Sequence, residues 1–192
     1  MAALSPQKGA GLIAFEENLI GLLESVEDCL AKRRILPCLM LIYSGIDVIA
    51  SLETGKASRS VFIRWVNKYL LKAASLSCTA LDLYGARCGI LHTFSAKSDM
   101  SAKGQAREIV YAWGNAKAAD LAAASIALGR NDCVLHLRDL INAFRVGLAD
   151  YLEEVMKDDK RKQKLEAGAG LWFTHLDQET VRTFLKAARI AE

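Results

Sequence analysis

The residues best suited to chemistry lie in one stretch of the sequence, LYGARCGILHT, which spans residues 83–93. It contains Arg87 and, five residues later, His92, one of the 3 histidines of the chain. An imidazole accepts or donates a proton near neutral pH, and a guanidinium offers a planar set of donors to phosphate oxygens. Such a pair suits RNA cleavage without a metal: the imidazole acts on the 2′-hydroxyl, and the cation stabilises the charge that develops on the phosphate.

Helical geometry does not by itself bring Arg87 and His92 together. On a regular helix, an offset of five residues rotates two Cβ directions by about 500°, so that they diverge by about 140°. If Gly85 or Gly89 loosens the backbone, the long arginine side chain can still reach the imidazole. The residues alone therefore leave two interpretations open: a site formed by both side chains, or a core histidine near a surface arginine.

The composition is that of an ordinary globular protein. Of the 192 residues, 52% are hydrophobic and 24% are charged, with only 2 prolines, which argues against disorder. A chain of this length is most simply one domain, covering residues 1–192. The net charge of +3 neither requires nor excludes a nucleic-acid partner.

Cysteine usage and hydropathy favour a cytoplasmic protein without a membrane span. The cysteines are odd in number and lack CxxC spacing, so they predict neither a disulfide framework nor a zinc site. We see no ligand set for a metal, expect no cofactor, and find no export-signal pattern in the first residues. The longest apolar run, residues 35–52, contains Asp47, whose charge would be costly in a bilayer, so we expect a buried helix there.

A helical period dominates the chain. We predict helical segments at 12–34, 37–53, 60–72, 77–94 and 135–165, and in the first of them apolar residues recur three and four positions apart. The second segment is apolar nearly all round and should lie at the centre of a bundle. An acidic start at residues 177–180 predicts a last short helix.

Residues 107–128 have a different texture. A β-branched and aromatic run, 107–113, ends at Gly114-Asn115, and we predict a small β-hairpin with residues 121–128 as its second arm. That second arm is rich in alanine and is also compatible with a helix. The sequence therefore predicts one helical domain with a small β insertion.

The stretch around Arg87 and His92 resembles the motif region of the HEPN superfamily. In that family an arginine is followed, after four to six residues, by a histidine, often behind a Leu-Tyr pair such as Leu83-Tyr84 here. The run CLMLIYSGIDVIASLE also resembles the second core helix of the family, where an acidic residue sits among bulky apolar ones, and Asp47 takes that place. The likeness covers roughly residues 12–92, and the last long helix would complete the bundle.

The resemblance implies a mainly α fold, a HEPN-like bundle of four or five helices with the β-hairpin as an insertion. Members form homodimers in which two motifs face each other across the two-fold axis. Many are metal-independent endoribonucleases in toxin–antitoxin, phage-defence or RNA-processing systems, so RNA and an antitoxin are expected partners. Arg87 would then hold the scissile phosphate, His92 would act on the 2′-hydroxyl or the leaving oxygen, and Asp47 would support them.

Two residues near the motif keep other functions open. The position after the arginine, commonly Asn, Asp or His in active members, is Cys88 here. Tyr84 either lines a pocket and stacks on a base, or serves as a core or interface aromatic. A non-catalytic module would use the same cleft to bind a nucleotide, RNA or a protein. A purely structural dimerisation protein would bury or ion-pair Arg87 and His92 away from any groove.

The remaining candidates have simpler explanations. We expect His136 and His175 to be capping or half-buried histidines. The mixed-charge run 157–164 is most simply a solvated helix end, with contact to an RNA backbone as the alternative. We expect packing roles for the three tryptophans, Trp65, Trp113 and Trp172.

Overall fold

The computed structural model describes residues 10–169 and residues 182, 183, 185 and 186. The described part of the chain is mainly helical, with a small two-stranded parallel sheet. The elements follow in this order: α1 (Ala10–Ala31), α2 (Ile35–Ser51), α3 (Arg59–Trp65), a π-helical segment (Val66–Leu70), α4 (Leu71–Ala73), α5 (Ala80–Thr93), α6 (Asp99–Ala102), β1 (Ile109–Ala112), α7 (Ala118–Ala127), β2 (Cys133–His136), α8 (Leu137–Met156) and α9 (Asp159–Ala169).

α2 forms the centre of the fold, as its apolar sequence predicts. It contacts α1, α3, α5 and α8, and the side chains of Ile42, Ile46 and Ile49 are completely buried. Burial of such a side chain stabilises the fold by roughly 1.5–3 kcal/mol. None of the described helices, α2 included, is long and apolar enough to cross a bilayer.

α8 approaches the chain after α3 closely, and an aromatic cluster fills the space beside this contact. A Cβ atom at Gly147 would lie 3.0 Å from the backbone nitrogen of Leu70, so only glycine permits the approach. The Tyr151 ring centroid lies 5.3 Å from that of Tyr69 and 6.1 Å from that of Trp65, both in edge-to-face geometry. Trp65 is therefore a core residue, as expected.

The predicted β-hairpin at residues 107–128 is wrong. β1 lies within its first arm, but most of residues 121–128 belong to α7, and β1 pairs in parallel with β2. In this pairing Ile109 lies opposite Cys133, and Ala112 lies opposite His136. Parallel neighbours need a crossover connection, and the alanine-rich run supplies it because alanine has the highest helix propensity.

Other boundaries also differ from the prediction. The long helix expected at 135–165 begins after β2 and is divided into α8 and α9, because the Asp158 carboxylate caps α9 by accepting hydrogen bonds from the N–H groups of Lys160 (3.0 Å) and Arg161 (3.2 Å). The short helix α6, Asp99–Ala102, lies in a polar stretch for which no element was predicted. The helix predicted to start at 177–180 lies outside the described residues, as do the side chains of Trp172 and His175.

Candidate functional site

Asp82 fixes the first turn of α5, the helix that carries Arg87 and His92. The Thr79 hydroxyl accepts a hydrogen bond from the N–H of Asp82 (3.1 Å), while the Asp82 carboxylate accepts one from the N–H of Thr79 (2.9 Å). The same carboxylate, almost fully buried, binds Arg107 Nη2 at 2.7 Å. Burial acts to raise the pKa of Asp82, but the hydrogen bonds from Arg107 and Thr79 together lower it below its ordinary value. The candidate-site helix is thus tied to the segment that leads into β1.

Gly85 and Gly89 allow close packing and do not loosen the helix, since α5 runs unbroken through both. A Cβ atom at Gly89 would lie 2.5 Å from the carbonyl oxygen of Ser95 and 3.0 Å from that of Lys97. At Gly85, a Cβ would lie 3.0 Å from the Cβ of Ala106. The chain that follows α5 can therefore return across the helix only because these positions have no side chain.

Arg87 joins two helices and two candidate side chains. Its Nε donates a hydrogen bond to Asp47 Oδ2 on α2 (2.6 Å), and its Nη1 is 2.9 Å from His92 Nε2. The approximately 140° between the Arg87 and His92 directions is therefore spanned by the length of the arginine side chain. We call Asp47, Arg87 and His92 the Asp–Arg–His trio.

The direction of these hydrogen bonds defines the state of His92. A guanidinium has donors only, so His92 Nε2 must accept the hydrogen bond from Arg87. The tautomer that fits this contact carries its proton on Nδ1. His92 itself is exposed to solvent.

The Asp47–Arg87 pair is largely shielded from water. The Arg87 and Asp47 side chains are 20% and 16% exposed. Burial acts to lower the pKa of Arg87, but its hydrogen bond to Asp47 and the charge of that carboxylate raise it above its ordinary value. The arginine is therefore a fixed cation whose position depends on Asp47.

Tyr84 lies beside the trio. Its ring packs edge-on against Phe62, with 5.4 Å between centroids. The guanidinium carbons of Arg59 and Arg87 lie 5.9 Å and 6.0 Å from the ring centroid, within the range of cation–π attraction. Burial and the neighbouring Cys88 thiol raise the pKa of Tyr84 above its ordinary value, against the effect of Arg87. Half-buried Cys88 also interacts with Arg87, so all five predicted site residues lie together.

The sequence interpretation missed Arg59 and Phe94. Arg59 reaches Tyr84 from α3, which no motif indicates. Phe94 follows α5 with a φ of 53°, in the left-handed region that a bulky residue rarely adopts, and is 65% exposed. An aromatic residue at the end of an apolar helical run looks like core in a sequence, so only the structure reveals this exposure.

Several other predictions can be compared with the structure. His136 is half-buried and caps α8 by accepting a hydrogen bond at Nδ1 from the N–H of Arg138 (3.2 Å), which confirms its capping role. In the mixed-charge run, Arg161 Nε binds Glu53 (2.6 Å). Trp113, expected to pack, is instead 42% exposed.

Within the trio, His92 is exposed, whereas Asp47 and Arg87 are mostly buried. Five cavities of the described region lie elsewhere, and none of these five has Arg87 or His92 in its lining. The described residues hold no group of three or more His, Cys, Asp and Glu side chains placed to bind a metal ion. The arrangement provides one exposed imidazole and one guanidinium that is mostly buried and held by Asp47.

Fold and site together define a mainly helical protein with a parallel βαβ unit and an Asp–Arg–His trio between two core helices. Comparison of the chain with known protein families, with curated proteins and with solved structures finds no significant match. The function must therefore be argued from the site itself.

Proposed function

We propose that this protein is a metal-independent endoribonuclease of HEPN type. The observation that supports the proposal is the contact of Arg87 with both Asp47 and His92, which puts an exposed imidazole beside a guanidinium, a group suited to phosphate oxygens. The finer fold assignment belongs to the same proposal: α1, α2, α3, α5 and α8 would be the helices of a HEPN-like bundle, and the βαβ unit its insertion.

In the proposed reaction, the 2′-oxygen of RNA attacks the adjacent phosphorus and the 5′-oxygen leaves. The products are a 2′,3′-cyclic phosphate and a 5′-hydroxyl end. Arg87 binds the scissile phosphate and stabilises its developing negative charge. His92 Nε2 takes the 2′-hydroxyl proton. In the structure, the lone pair of this nitrogen accepts a hydrogen bond from Arg87. Substrate must therefore draw Nη1 of Arg87 towards the phosphate before His92 can act as the base.

Asp47 has a positioning role in this scheme. A guanidinium on a long side chain has many rotamers, and ordering it costs free energy each time a substrate binds. The hydrogen bond from Nε to Asp47 fixes the plane of the guanidinium before substrate arrives. The remaining N–H groups are then offered to phosphate oxygens in a defined geometry.

A second copy of the chain would complete the site. Two large apolar side chains are exposed next to the trio, Val48 beside Asp47 and Phe94 two residues after His92. Apolar side chains exposed beside a polar site suit a contact between proteins. Two trios facing each other would supply one neutral imidazole to accept the 2′-hydroxyl proton and a second, protonated from solvent to the imidazolium, to give its proton to the leaving 5′-oxygen. A role as a toxin or in phage defence, with an antitoxin as partner, is part of the same proposal.

An RNA cleavage assay with matched variants tests the proposal. We expect His92→Ala and Arg87→Ala each to reduce cleavage by about 10²–10⁴-fold, the usual contribution of a general acid–base group or an oxyanion-binding group. EDTA should have no effect. Arg145→Ala is the matched control. Arg145 lies on α8, outside the trio, and it also binds a carboxylate, that of Glu27, at 3.1 Å. Loss of activity with EDTA, or full activity of His92→Ala, would refute the mechanism.

The second candidate is a non-catalytic module that binds RNA through the same surface. It is favoured by Cys88 at a position that is usually polar in active members, and by the engagement of His92 Nε2 with Arg87. This function predicts that the wild-type protein and the Arg87→Ala/His92→Ala double variant cleave bulk RNA equally slowly. It also predicts that Arg87→Ala weakens RNA binding, measured by fluorescence anisotropy with a labelled oligonucleotide.

A further inference from the structure

A second candidate site lies at the other end of α2. A cavity of about 580 Å³ opens where the carboxyl ends of β1 and β2 meet the end of α1. This volume falls within the range of about 300–1,000 Å³ that is typical of small-molecule sites, and the carboxyl edge of parallel strands is a common place for them. The residues that line the cavity are Leu30, Ala31, Arg33, Trp113, Gly114, Asn115, His136, Leu137 and Arg138.

The cavity lining is cationic. Arg33 and Arg138 contribute guanidinium groups, and none of the lining residues is acidic. The acid partner of Arg138, Glu27, is shared: it binds Arg138 at 3.2 Å and Arg145 at 3.1 Å. One carboxylate outside the lining thus faces two arginines, and Arg33 adds a further positive charge. The cavity suits an anionic ligand.

Trp113 provides a flat apolar surface at the same place. It follows β1, and its side chain is 42% exposed. The next residue, Gly114, has a φ of 64°, and its carbonyl oxygen accepts a hydrogen bond from His136 Nε2 (3.3 Å). Because His136 Nδ1 accepts from the N–H of Arg138, the proton is on Nε2 and the ring ties the two strand ends together. The backbone that carries the indole is therefore held in place.

Arg33 occupies a position where glycine would be more favourable. The N–H of Arg33 bonds to the carbonyl of Leu30 (3.0 Å), and the N–H of Arg34 bonds to that of Cys29 (2.8 Å). These bonds define a Schellman helix end, in which the left-handed residue is usually glycine. Here it is Arg33, with a φ of 56°. The chain thus places a guanidinium at the cavity in a backbone conformation that disfavours any side chain.

We propose that this cavity binds a nucleotide, with the base stacked on Trp113 and the phosphate bound by Arg33 and Arg138. An indole stacks on any base, and guanidinium groups form paired hydrogen bonds with phosphate oxygens. Two sources supply this chemistry: a free mononucleotide, or the 5′-phosphorylated end of an RNA strand. The site does not depend on the proposed nuclease function, since the length of α2 from Ile35 to Asp47, about 18 Å, separates it from the trio.

Isothermal titration calorimetry on the full chain tests the proposal with four probes. AMP carries base and phosphate, adenosine and inorganic phosphate carry one each, and the 5′-phosphorylated oligonucleotide pAAAA represents an RNA end. pAAAA is measured on the His92→Ala chain to prevent cleavage. We expect AMP to bind at least about tenfold more tightly than adenosine or phosphate, because each lacks one half of the interaction. Binding of pAAAA more than tenfold tighter than AMP assigns the site to RNA ends, and equal binding assigns it to free nucleotides.

Variants distinguish a binding role from a structural one. Arg33→Gly should weaken AMP binding about tenfold or more while the thermal midpoint stays the same or rises, because glycine suits the left-handed position. Trp113→Leu should weaken binding and abolish the quenching of tryptophan fluorescence by AMP. Arg34→Ala is the matched control, an exposed neighbouring arginine outside the lining, and should change affinity less than about twofold.

Three outcomes overturn the proposal. The first is no binding of AMP or pAAAA at millimolar concentration. The second is an AMP affinity unchanged in both Arg33→Gly and Trp113→Leu. The third is phosphate binding as tight as AMP, which would reduce the cavity to an anion site without a base platform.

Discussion

The ends of α1 and α5 share a left-handed residue and border two different kinds of surface. Each is followed by a non-glycine residue in the left-handed region, Arg33 after α1 and Phe94 after α5. The next N–H then bonds back to a helix carbonyl, five residues earlier after α1 (Arg34 to Cys29, 2.8 Å) and six residues earlier after α5 (Ser95 to Gly89, 3.2 Å). Beyond α1 lies a cavity, whereas the trio beside the end of α5 lies in none of the five cavities identified in the described region.

This difference shows how each site can exclude water. A cavity removes water from a small ligand by its own walls. The imidazole of His92 is exposed to solvent, where electrostatic stabilisation is weak, and only a large partner that covers it would exclude the water. The end of α1 is therefore suited to a small ligand, and the end of α5 to a polymer or to a second copy of the chain.

The largest expected effect is the loss of stability caused by Gly89→Ala in α5. Its new Cβ would lie 2.5 Å from the Ser95 carbonyl, a backbone atom that cannot turn aside. We expect a loss of about 2–3 kcal/mol in the free energy of unfolding, measured in urea, because the chain after α5 must move. AMP binding at the other end of the molecule should persist.

Gly21→Ala is the control, because Gly21 lies within α1 and a Cβ added there would meet no atom within 4 Å. It should stabilise the protein by up to about 1 kcal/mol through helix propensity. If Gly89→Ala is as stable as Gly21→Ala, the close return of the chain across α5 is wrong.

The ion pairs of the two regions should respond differently to neutralisation. Asp47→Asn leaves Arg87, 20% exposed, without its anionic partner, and should reduce the free energy of unfolding by about 1–2 kcal/mol with little dependence on salt. Glu27→Gln removes a carboxylate that is 39% exposed, and should cost at most about 0.5 kcal/mol, less at high salt. Urea unfolding at 50 mM and 500 mM NaCl measures both. Equal costs for the two substitutions would contradict the difference in burial.

Acid should reduce the contribution of Asp82 to the free energy of unfolding. The pKa of this carboxyl lies below its ordinary value in the fold, so its stabilising contribution is complete at neutral pH and is lost as the pH falls below about 4. We expect Asp82→Asn to be less stable than the wild type at pH 7, with a smaller difference at pH 3, when urea midpoints are compared. A difference that stays constant or widens towards pH 3 would show that Asp82 does not titrate in this way.

The sequence predicted the elements that depend on local pattern. The three-and-four spacing of apolar residues placed α1, and the continuous apolar run placed α2, each to within a few residues, because one helix buries a face and the other nearly all of its surface. It did not predict the partner of β1. Strand pairing is a long-range choice, and the turn at Gly114-Asn115 leads equally well into a strand or into α7.

The sequence grouped Asp47, Arg87 and His92 only through a family resemblance. Helical geometry permitted contact between Arg87 and His92 through the long arginine side chain but did not favour it, because their Cβ directions diverge. The cavity could not be predicted, because its lining comes from three separated segments and its shape depends on the parallel pairing that the sequence left ambiguous.

The smallest expected effects come from replacing the two left-handed residues, Arg33 and Phe94. Phe94→Gly and Arg33→Gly should each stabilise the subunit by about 0.5–1 kcal/mol, because a left-handed backbone suits glycine better than any larger residue. Phe94 is 65% exposed, so little burial is lost.

The two substitutions should then differ in function. Phe94→Gly should weaken self-association in sedimentation velocity and leave AMP binding unchanged. Arg33→Gly should weaken AMP binding and leave self-association unchanged. Phe94→Ala separates the two effects, because it removes the ring without relieving the backbone and should weaken association with no gain in stability. If Phe94→Gly leaves self-association unchanged, Phe94 is not part of a contact between copies.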